Sequence, residues 1–249
     1  MPGPELALIV AGAACAGFVQ GLAGFGFGLV SLSFWAWGLP PQQAAVLATV
    51  GGLTGQMLAA LTLRRGTRWS VLWPFLAGGL SGLPLGLLLL QRADTLWFRL
   101  FVGSVLALWC PLMLFSGRLP QLRWGGRAAD ALAGAAGGVM GPLGGFTGAI
   151  PSLWCTLRGM DRDEQRTTLQ NFNLAMLALT TAAYLHRGLI TVDQVPAIGL
   201  VMATLVVPAW LGMRVYRGIS ALAFRNLVLG LLTASGLTML AATLPQLLR

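Results

Sequence analysis

The chain has 249 residues, of which 56% are apolar and only 9% charged, with a mean hydropathy of +0.77. Soluble domains are about one-quarter charged, so these figures exclude a soluble enzyme or binding module and place the whole chain in a membrane. The net charge of +9 comes from sixteen basic residues, all arginine, in short segments between apolar runs; no aromatic-and-basic module accompanies them, which removes nucleic acid as a partner.

Charge-free stretches occupy residues 6–63, 69–91, 100–117, 131–157, 167–186, 194–213 and 226–248. Most reach the ~20 apolar residues that span a bilayer core, and no room is left for a soluble domain. The first element, about 5–37, opens with Glu5 and no preceding Arg or Lys. It lacks a signal peptide's basic start, and is expected to remain in the mature protein. A glycine ladder, Gly17, Gly21, Gly24 and Gly28, interrupts it. Pro40 and Pro41 suit the first turn of a helix over 42–63, and further spans follow at about 69–90 and 95–115. After the arginine-bearing linker 118–129 a second ladder, Gly137, Gly141, Gly144 and Gly148, interrupts about 131–157. Pro142 and Pro151 are expected to help break it. Asp161, Asp163 and Glu164 complement the start of a helix over 164–185, and spans at about 191–213 and 224–244 close the chain.

The two ladders differ by 120 at every position, and downstream the likeness continues at 122, where Arg64-Arg65-Gly66 faces His186-Arg187-Gly188. Residues 1–117 and 130–249 are therefore two repeats. Glycine frees backbone groups that lipid cannot satisfy, so a broken segment at matching places in two halves points to a polar cavity inside protein.

Arginine positions set the topology. If both interrupted segments return to their starting side as hairpins, the loops 64–68, 118–127, 158–166 and 214–225 share one face. That face collects twelve of the sixteen arginines and leaves Arg92, Arg99, Arg187 and Arg249 opposite. If each crosses once, the sixteen divide eight against eight. Only the hairpin arrangement obeys the positive-inside rule. The expected fold is an all-α polytopic membrane protein built as an inverted repeat. Each half has one glycine-broken re-entrant helical hairpin of two short helices and three transmembrane helices, and both termini face outward.

At Gly21-Leu22-Ala23-Gly24-Phe25-Gly26-Phe27-Gly28, followed by Leu39-Pro40-Pro41 and a Thr-bearing helix, the chain resembles the TauE/SafE family of sulfite and organosulfur-anion exporters. Gly141-Pro142-Leu143-Gly144-Gly145-Phe146-Thr147-Gly148 repeats the pattern, and the resemblance covers nearly the whole chain. It implies a multi-pass carrier of the inner cell membrane for small anions such as sulfite or sulfonates, or for other small organic acids. In one departure, Asp161-Arg162-Asp163-Glu164 stands where the first half has Pro40-Pro41-Gln42-Gln43.

The residues themselves indicate how an anion would be held. Helices restarting near Gly26 and near Thr147 present unpaired N–H groups and the positive end of a dipole, which bind an anion without buried Arg or Lys. The candidate site comprises Gln20, Gly21, Gly24, Phe25, Gly26, Gly28 and Thr49 from the first half. From the second it takes Gly141, Gly144, Gly145, Thr147, Gly148, Asn171 and Asn173. Thr, Asn and Gln supply donors for oxyanion oxygens. Each has a plainer reading: glycine for close helix packing, and Thr49 and Gln56 as bonds between helices. Phe25 and Phe146 are candidates to close the cavity, and Trp35, Trp37, Trp69, Trp73, Trp97, Trp124 and Trp154 read as interfacial anchors.

Cys15, Cys110 and Cys155 lack metal-ligand spacing and suggest no disulfide, no nucleotide loop is present, and no cofactor is expected. Enzymatic activity would need a nucleophile–base set that one histidine, His186, does not supply. Expected partners are a small anion and the bilayer, with homo-oligomerisation compatible with the fold. A non-transporting assembly subunit remains the alternative, because packing alone also favours glycine.

Overall fold

The computed structural model describes residues 3–62, 68–115, 122, 125–215 and 221–247, all of them in helices or the turns between them, with no strand among the described residues. Arg64, Arg65, Arg118, Arg123, Trp124, Arg217 and Arg249 lie outside this set, as do the side chains of Arg162 and Arg225. The helices are α1 (Gly3–Ala23), α2 (Phe27–Trp35), α3 (Pro41–Thr62), α4 (Trp69–Arg92), α5 (Thr95–Ser104) and α6 (Cys110–Leu114). They continue with α7 (Gly126–Met140), α8 (Ala149–Leu157), α9 (Arg162–His186), α10 (Val195–Val215) and α11 (Ala221–Leu247). A π-helical turn at Val105–Trp109 joins α5 to α6 ahead of Pro111, whose missing N–H disturbs the regular ladder.

Six stretches are long and apolar enough to cross a bilayer: Gly3–Ala23, Pro41–Leu61, Trp69–Arg92, Thr95–Leu114, Val192–Arg214 and Asn226–Leu247. One of the six differs from expectation, and one expected crossing is absent from the set. The crossing expected at 164–185 is not among them, because α9 carries Asp163, Glu164, Gln165, Arg166, Gln170, Asn171 and Asn173 in its first half. The first arm of the first interrupted segment is one of them, at 21 residues, where a short helix was expected.

The ladder explains that length. Gly12, Gly17 and Gly21 do not break α1; they let it approach its neighbours. A Cβ at Gly17 would lie 2.9 Å from the Leu205 carbonyl oxygen, and one at Gly21 would fall on that of Ala209, both on α10. On the other side of the molecule Gly78, Gly82 and Gly86 of α4 interlock with Gly134 and Gly138 of α7, each set against a facing backbone carbonyl. Small residues replace the hydrophobic drive that lipid removes, by admitting backbones to contact.

The chain does turn back within each interrupted segment. Trp35 at the end of α2 donates through Nε1 to the carbonyl of Leu8 near the start of α1, at 3.0 Å, so α2 runs back along α1. Asp130 on α7 is held by Trp154 and Arg158 at the far end of α8, so α8 runs back along α7. The helix after each reversal runs alongside the first arm, since Gln20 bonds Gly52 and Gln56 bonds Gly24 between α1 and α3. In the second segment Gly137 meets Phe172, and Gly141 meets Thr180. At the centre Thr49 lies against Tyr184, and Gly52 against Leu177, so α3 and α9 pass in opposite directions.

Interior and exterior separate as a membrane protein requires. The stretch 44–48 of α3 is buried on every side, along with Leu32, Trp35, Phe98, Val102 and Leu205. Leu61, Trp69, Leu108, Leu132 and Val207 are exposed, forming an apolar exterior suited to lipid. Thr54, Thr180, Thr181, Thr233 and Thr243 return their hydroxyls to carbonyls four residues earlier, which hides them within the helix. Trp37, Trp69, Trp73 and Trp97 are exposed as anchors should be, whereas Trp35 is fully buried and belongs to the core instead.

Candidate functional site

Two short helices begin at one cavity. The break between α1 and α2 is only three residues long, Gly24 to Gly26. Gly24 at φ 80° and Gly26 at φ 97° adopt the left-handed conformation that favours glycine. Gly26 caps α2, whose first regular bond runs from the Val30 N–H to the Gly26 carbonyl at 3.1 Å. The N–H groups of Phe27, Gly28 and Leu29 therefore precede the hydrogen-bond ladder of α2.

The second break, from Gly141 to Gly148, is longer and loops through Gly144 at φ 145° and Gly145 at φ 73° before α8 begins. Its first regular bond joins the Ser152 N–H to the Gly148 carbonyl, 3.0 Å, while the Ala149 N–H turns back to Phe146. Pro151, expected to break this hairpin, occupies the third position of α8, where its missing N–H costs nothing.

The breaks touch. A Cβ on Gly28 would fall on the carbonyl oxygen of Gly144, and one on Gly144 would enter the Leu32 side chain. Around this crossing lies a cavity of about 30 Å³, lined by Gln20 and Phe25 to Leu29 from the first hairpin, Gly52 and Gln56 from α3, and Gly145 to Ala149, Asn173 and Leu177 from the second half. That is room for a few water-sized centres. No lining side chain is ionisable, and each helix contributes partial positive charge at its start.

Polar side chains fix the walls. Thr147 Oγ1 donates to Asn173 Oδ1 at 2.9 Å, and the Asn173 amide packs against Gly148, where any Cβ would collide with it. Gln20 Nε2 donates to the Gly52 carbonyl, and Gln56 Nε2 to the Gly24 carbonyl, both at 2.9 Å. In the second half Tyr184 donates its hydroxyl to the Pro142 carbonyl. Carbonyls released where the hairpins break thus find partners on α3 and α9, as non-helical backbone at membrane depth requires.

Of the residues singled out in the sequence, the structure brings Gln20, Phe25, Gly26, Gly28, Gly145, Thr147, Gly148 and Asn173 to the cavity. Gly21 is in the α1–α10 contact, and Gly24 and Gly144 shape the breaks behind the wall. Gly141 closes α7 against Thr147 and Thr180. Thr49 is fully buried against Tyr184, and Asn171, one residue from Phe172, is half-buried on α9 away from the lining. Gln56, read from the sequence as a polar side chain near the site with a bond between helices as its plainer role, makes that bond to Gly24 and also lines the cavity, whereas Gly52 was passed over.

A charged residue was also missed. Asp130 sits one position before the charge-free stretch at 131–157, yet α7 starts at Gly126 and Asp130 is 1% exposed. Trp154 Nε1 donates to its Oδ1 at 2.7 Å, and the Arg158 guanidinium pairs with Oδ2. The pair closes the base of the second hairpin. Among the described residues no cluster of His, Cys, Asp and Glu could hold a metal ion.

A family model described as sulfite exporter TauE/SafE matches residues 9–239. No similar protein was found among curated proteins or among solved structures.

Proposed function

Because the chain belongs to the sulfite exporter TauE/SafE family, we propose that it is a secondary transporter that carries sulfite or a similarly small organosulfur anion out of the cell across the inner membrane. The single observation that carries this reading is the start of α2 and of α8 at one cavity with no ionisable side chain in its wall. Helix N-termini attract anions, and a fully charged lysine or arginine there would cost at least ~2.5–3.5 kcal/mol on insertion scales. Dipoles bind without that cost, and weakly enough for release.

The cavity's size favours a solute of a few heavy atoms over a longer organic acid. Two halves inserted in opposite senses, supported by the opposed passage of α3 and α9, would let the cavity open to each side in turn. The arginine-rich loops are then cytoplasmic and both termini external. A negative cytoplasm favours anion exit by ~2.3 kcal/mol per charge per 100 mV, so export needs no energy-coupling enzyme activity.

The test is flux of labelled sulfite, methanesulfonate and short carboxylates in proteoliposomes containing the purified chain. Sulfite efflux that follows an imposed potential, and falls at least tenfold in Asn173→Leu, is expected. Absence of flux for every one of these anions in folded, correctly inserted protein overturns the reading.

A further inference from the structure

Thr54, Thr180, Thr181, Thr233 and Thr243 spend their hydroxyls within their own helices; that of Thr49 crosses to the other repeat. Thr49 is fully buried on α3 and meets the Tyr184 hydroxyl of α9 at 3.5 Å, 135 positions away. Tyr184 is fully buried as well, and its one hydroxyl proton goes to the Pro142 carbonyl, which can only accept. Thr49 is therefore the donor of the pair. The chain of bonds runs from Thr49 through Tyr184 to Pro142, and a hydroxyl that accepts one bond donates the next more strongly.

Pro142 stands at the opening of the second break. The N–H groups of Gly144 and Gly145 both turn to the Gly141 carbonyl, which leaves the carbonyl of buried Pro142 to Tyr184. Three residues on, Gly145 reaches the cavity wall and rests on the same turn of α3. A Cβ there would lie 3.4 Å from the Ala48 carbonyl oxygen and 3.5 Å from the Thr49 Cα. One turn of the first repeat thus supports the second break at two points, by contact at Gly145 and by bonds at Pro142. Thr147, Gly148 and the start of α8 follow directly, all in the wall. Neither Thr49 nor Tyr184 lines the cavity, so whatever they do to a solute passes through the backbone they hold.

On the proposed reading of the chain as an anion carrier, on which this step rests, we propose that Thr49 and Tyr184 are positioning residues. Through the Pro142 carbonyl they set the second break in the shape that binds the anion. Thr49 belongs to one repeat and Tyr184 to the other, so the joint is made only in one register of α3 against α9. When the repeats shift to open the cavity to a side, the Thr49 bond lengthens and the break loses a support. Affinity for the anion is thereby tied to the relative position of the two halves, which is the coupling that alternating access requires.

The experiment measures labelled sulfite flux against concentration in proteoliposomes holding the full chain, at a temperature where each variant is folded by its melting curve. Tyr184→Phe keeps the ring and removes the hydroxyl; Thr49→Val keeps the shape and removes the donor. Each should raise the concentration for half-maximal flux about fivefold, with a much smaller change in the maximal rate. Thr49→Ser, which retains the hydroxyl, should restore the value of the unmodified chain. The double variant should be no worse than Tyr184→Phe alone, because Thr49 acts through that hydroxyl. Lower melting temperatures with an unchanged concentration dependence overturn the proposal and leave a structural bond only. Effects that multiply in the double variant overturn it as well, since the two residues would then act separately. No sulfite flux in the folded, unmodified chain defeats the carrier reading instead. If Tyr184→Phe does not fold, the contrast between Thr49→Val and Thr49→Ser still decides.

Discussion

The two hairpins share one glycine spacing and put it to different use. In the first, a long arm packs through Gly17 and Gly21 on α10, and a three-residue break sets the start of α2 at the cavity. In the second, a 15-residue arm interlocks with α4, and an eight-residue break between Gly141 and Gly148 winds past the first before α8 begins. The first supplies mainly amide donors and Gln20; the second supplies Thr147 and, through α9, Asn173. Their bases differ too. Trp35 closes the first by a neutral bond to Leu8, whereas a buried carboxylate with two donors closes the second. Equal spacing therefore fixes a chain reversal and close approach, but not the chemistry presented at it.

The largest effect should come from the point where the hairpins meet. Gly28→Leu puts a side chain into the Gly144 carbonyl, and neither backbone can yield without separating the breaks. We expect a loss beyond ~3 kcal/mol, at or above the upper end of ordinary overpacking, seen as aggregation or a collapsed melting transition in detergent. Gly26→Ala sharpens the comparison: its Cβ meets nothing within 4 Å, but φ is 97°, so only backbone strain of ~1–2 kcal/mol is added. If the two variants melt alike, contact between the hairpins is not what holds the crossing.

Next in size is the base of the second hairpin. Asp130→Ala strands the Trp154 N–H and leaves Arg158 without its partner. About 2–4 kcal/mol should be lost, less than for a fully buried pair because the Arg158 side chain is 34% exposed. Asp130→Asn retains an acceptor for Trp154 and should recover part of that loss. Thermal unfolding with flux measured at a temperature where all variants are folded separates stability from transport.

These contrasts also mark what the sequence disclosed. Composition and the repeated ladder were enough for an all-helical membrane chain with an interruption in each half, because bilayer length and glycine's freedom act locally. The role of single glycines was not legible. Gly21 and Gly24 are three apart and look alike in sequence, but one faces the Ala209 carbonyl and the other has a left-handed φ with open space around it. Which of these occurs depends on a helix some 190 positions away. Asp130 was hidden for a similar reason: its partners lie on the returning arm, and a charge at the edge of an apolar run resembles a loop residue. α9 was legible as a helix over 164–185 although polar residues that line the cavity or meet α8 lower its hydropathy.

Smaller again is the polar pair that the second hairpin contributes. Thr147→Val keeps the shape and removes the donor to Asn173 Oδ1, at about 1–2 kcal/mol. Asn173 would then lose its fixed orientation against Gly148. We expect a rise of several-fold in the sulfite concentration for half-maximal flux with little change in the maximal rate. An unchanged concentration dependence would move binding to the first hairpin alone and sharpen the contrast between the two.

The smallest effect tests the neutral clamp. Trp35→Phe keeps an aromatic ring in a site that is fully buried and beside Phe27, with centroids 6.1 Å apart, and removes only the Nε1–H bond to Leu8. That carbonyl lies within α1, where it also accepts the regular bond from four residues on, so its loss is not that of an orphaned acceptor. About 0.5–1.5 kcal/mol should go, with the melting transition shifted by much less than in Asp130→Ala. Arg99, which donates to the carbonyls of Ala36 and Trp37 just past α2, remains to hold the returning arm in place. A drop as large as that of Asp130→Ala would mean that both bases carry equal strain, and that the ionic clamp of the second hairpin is a substitution of chemistry without a difference in strength.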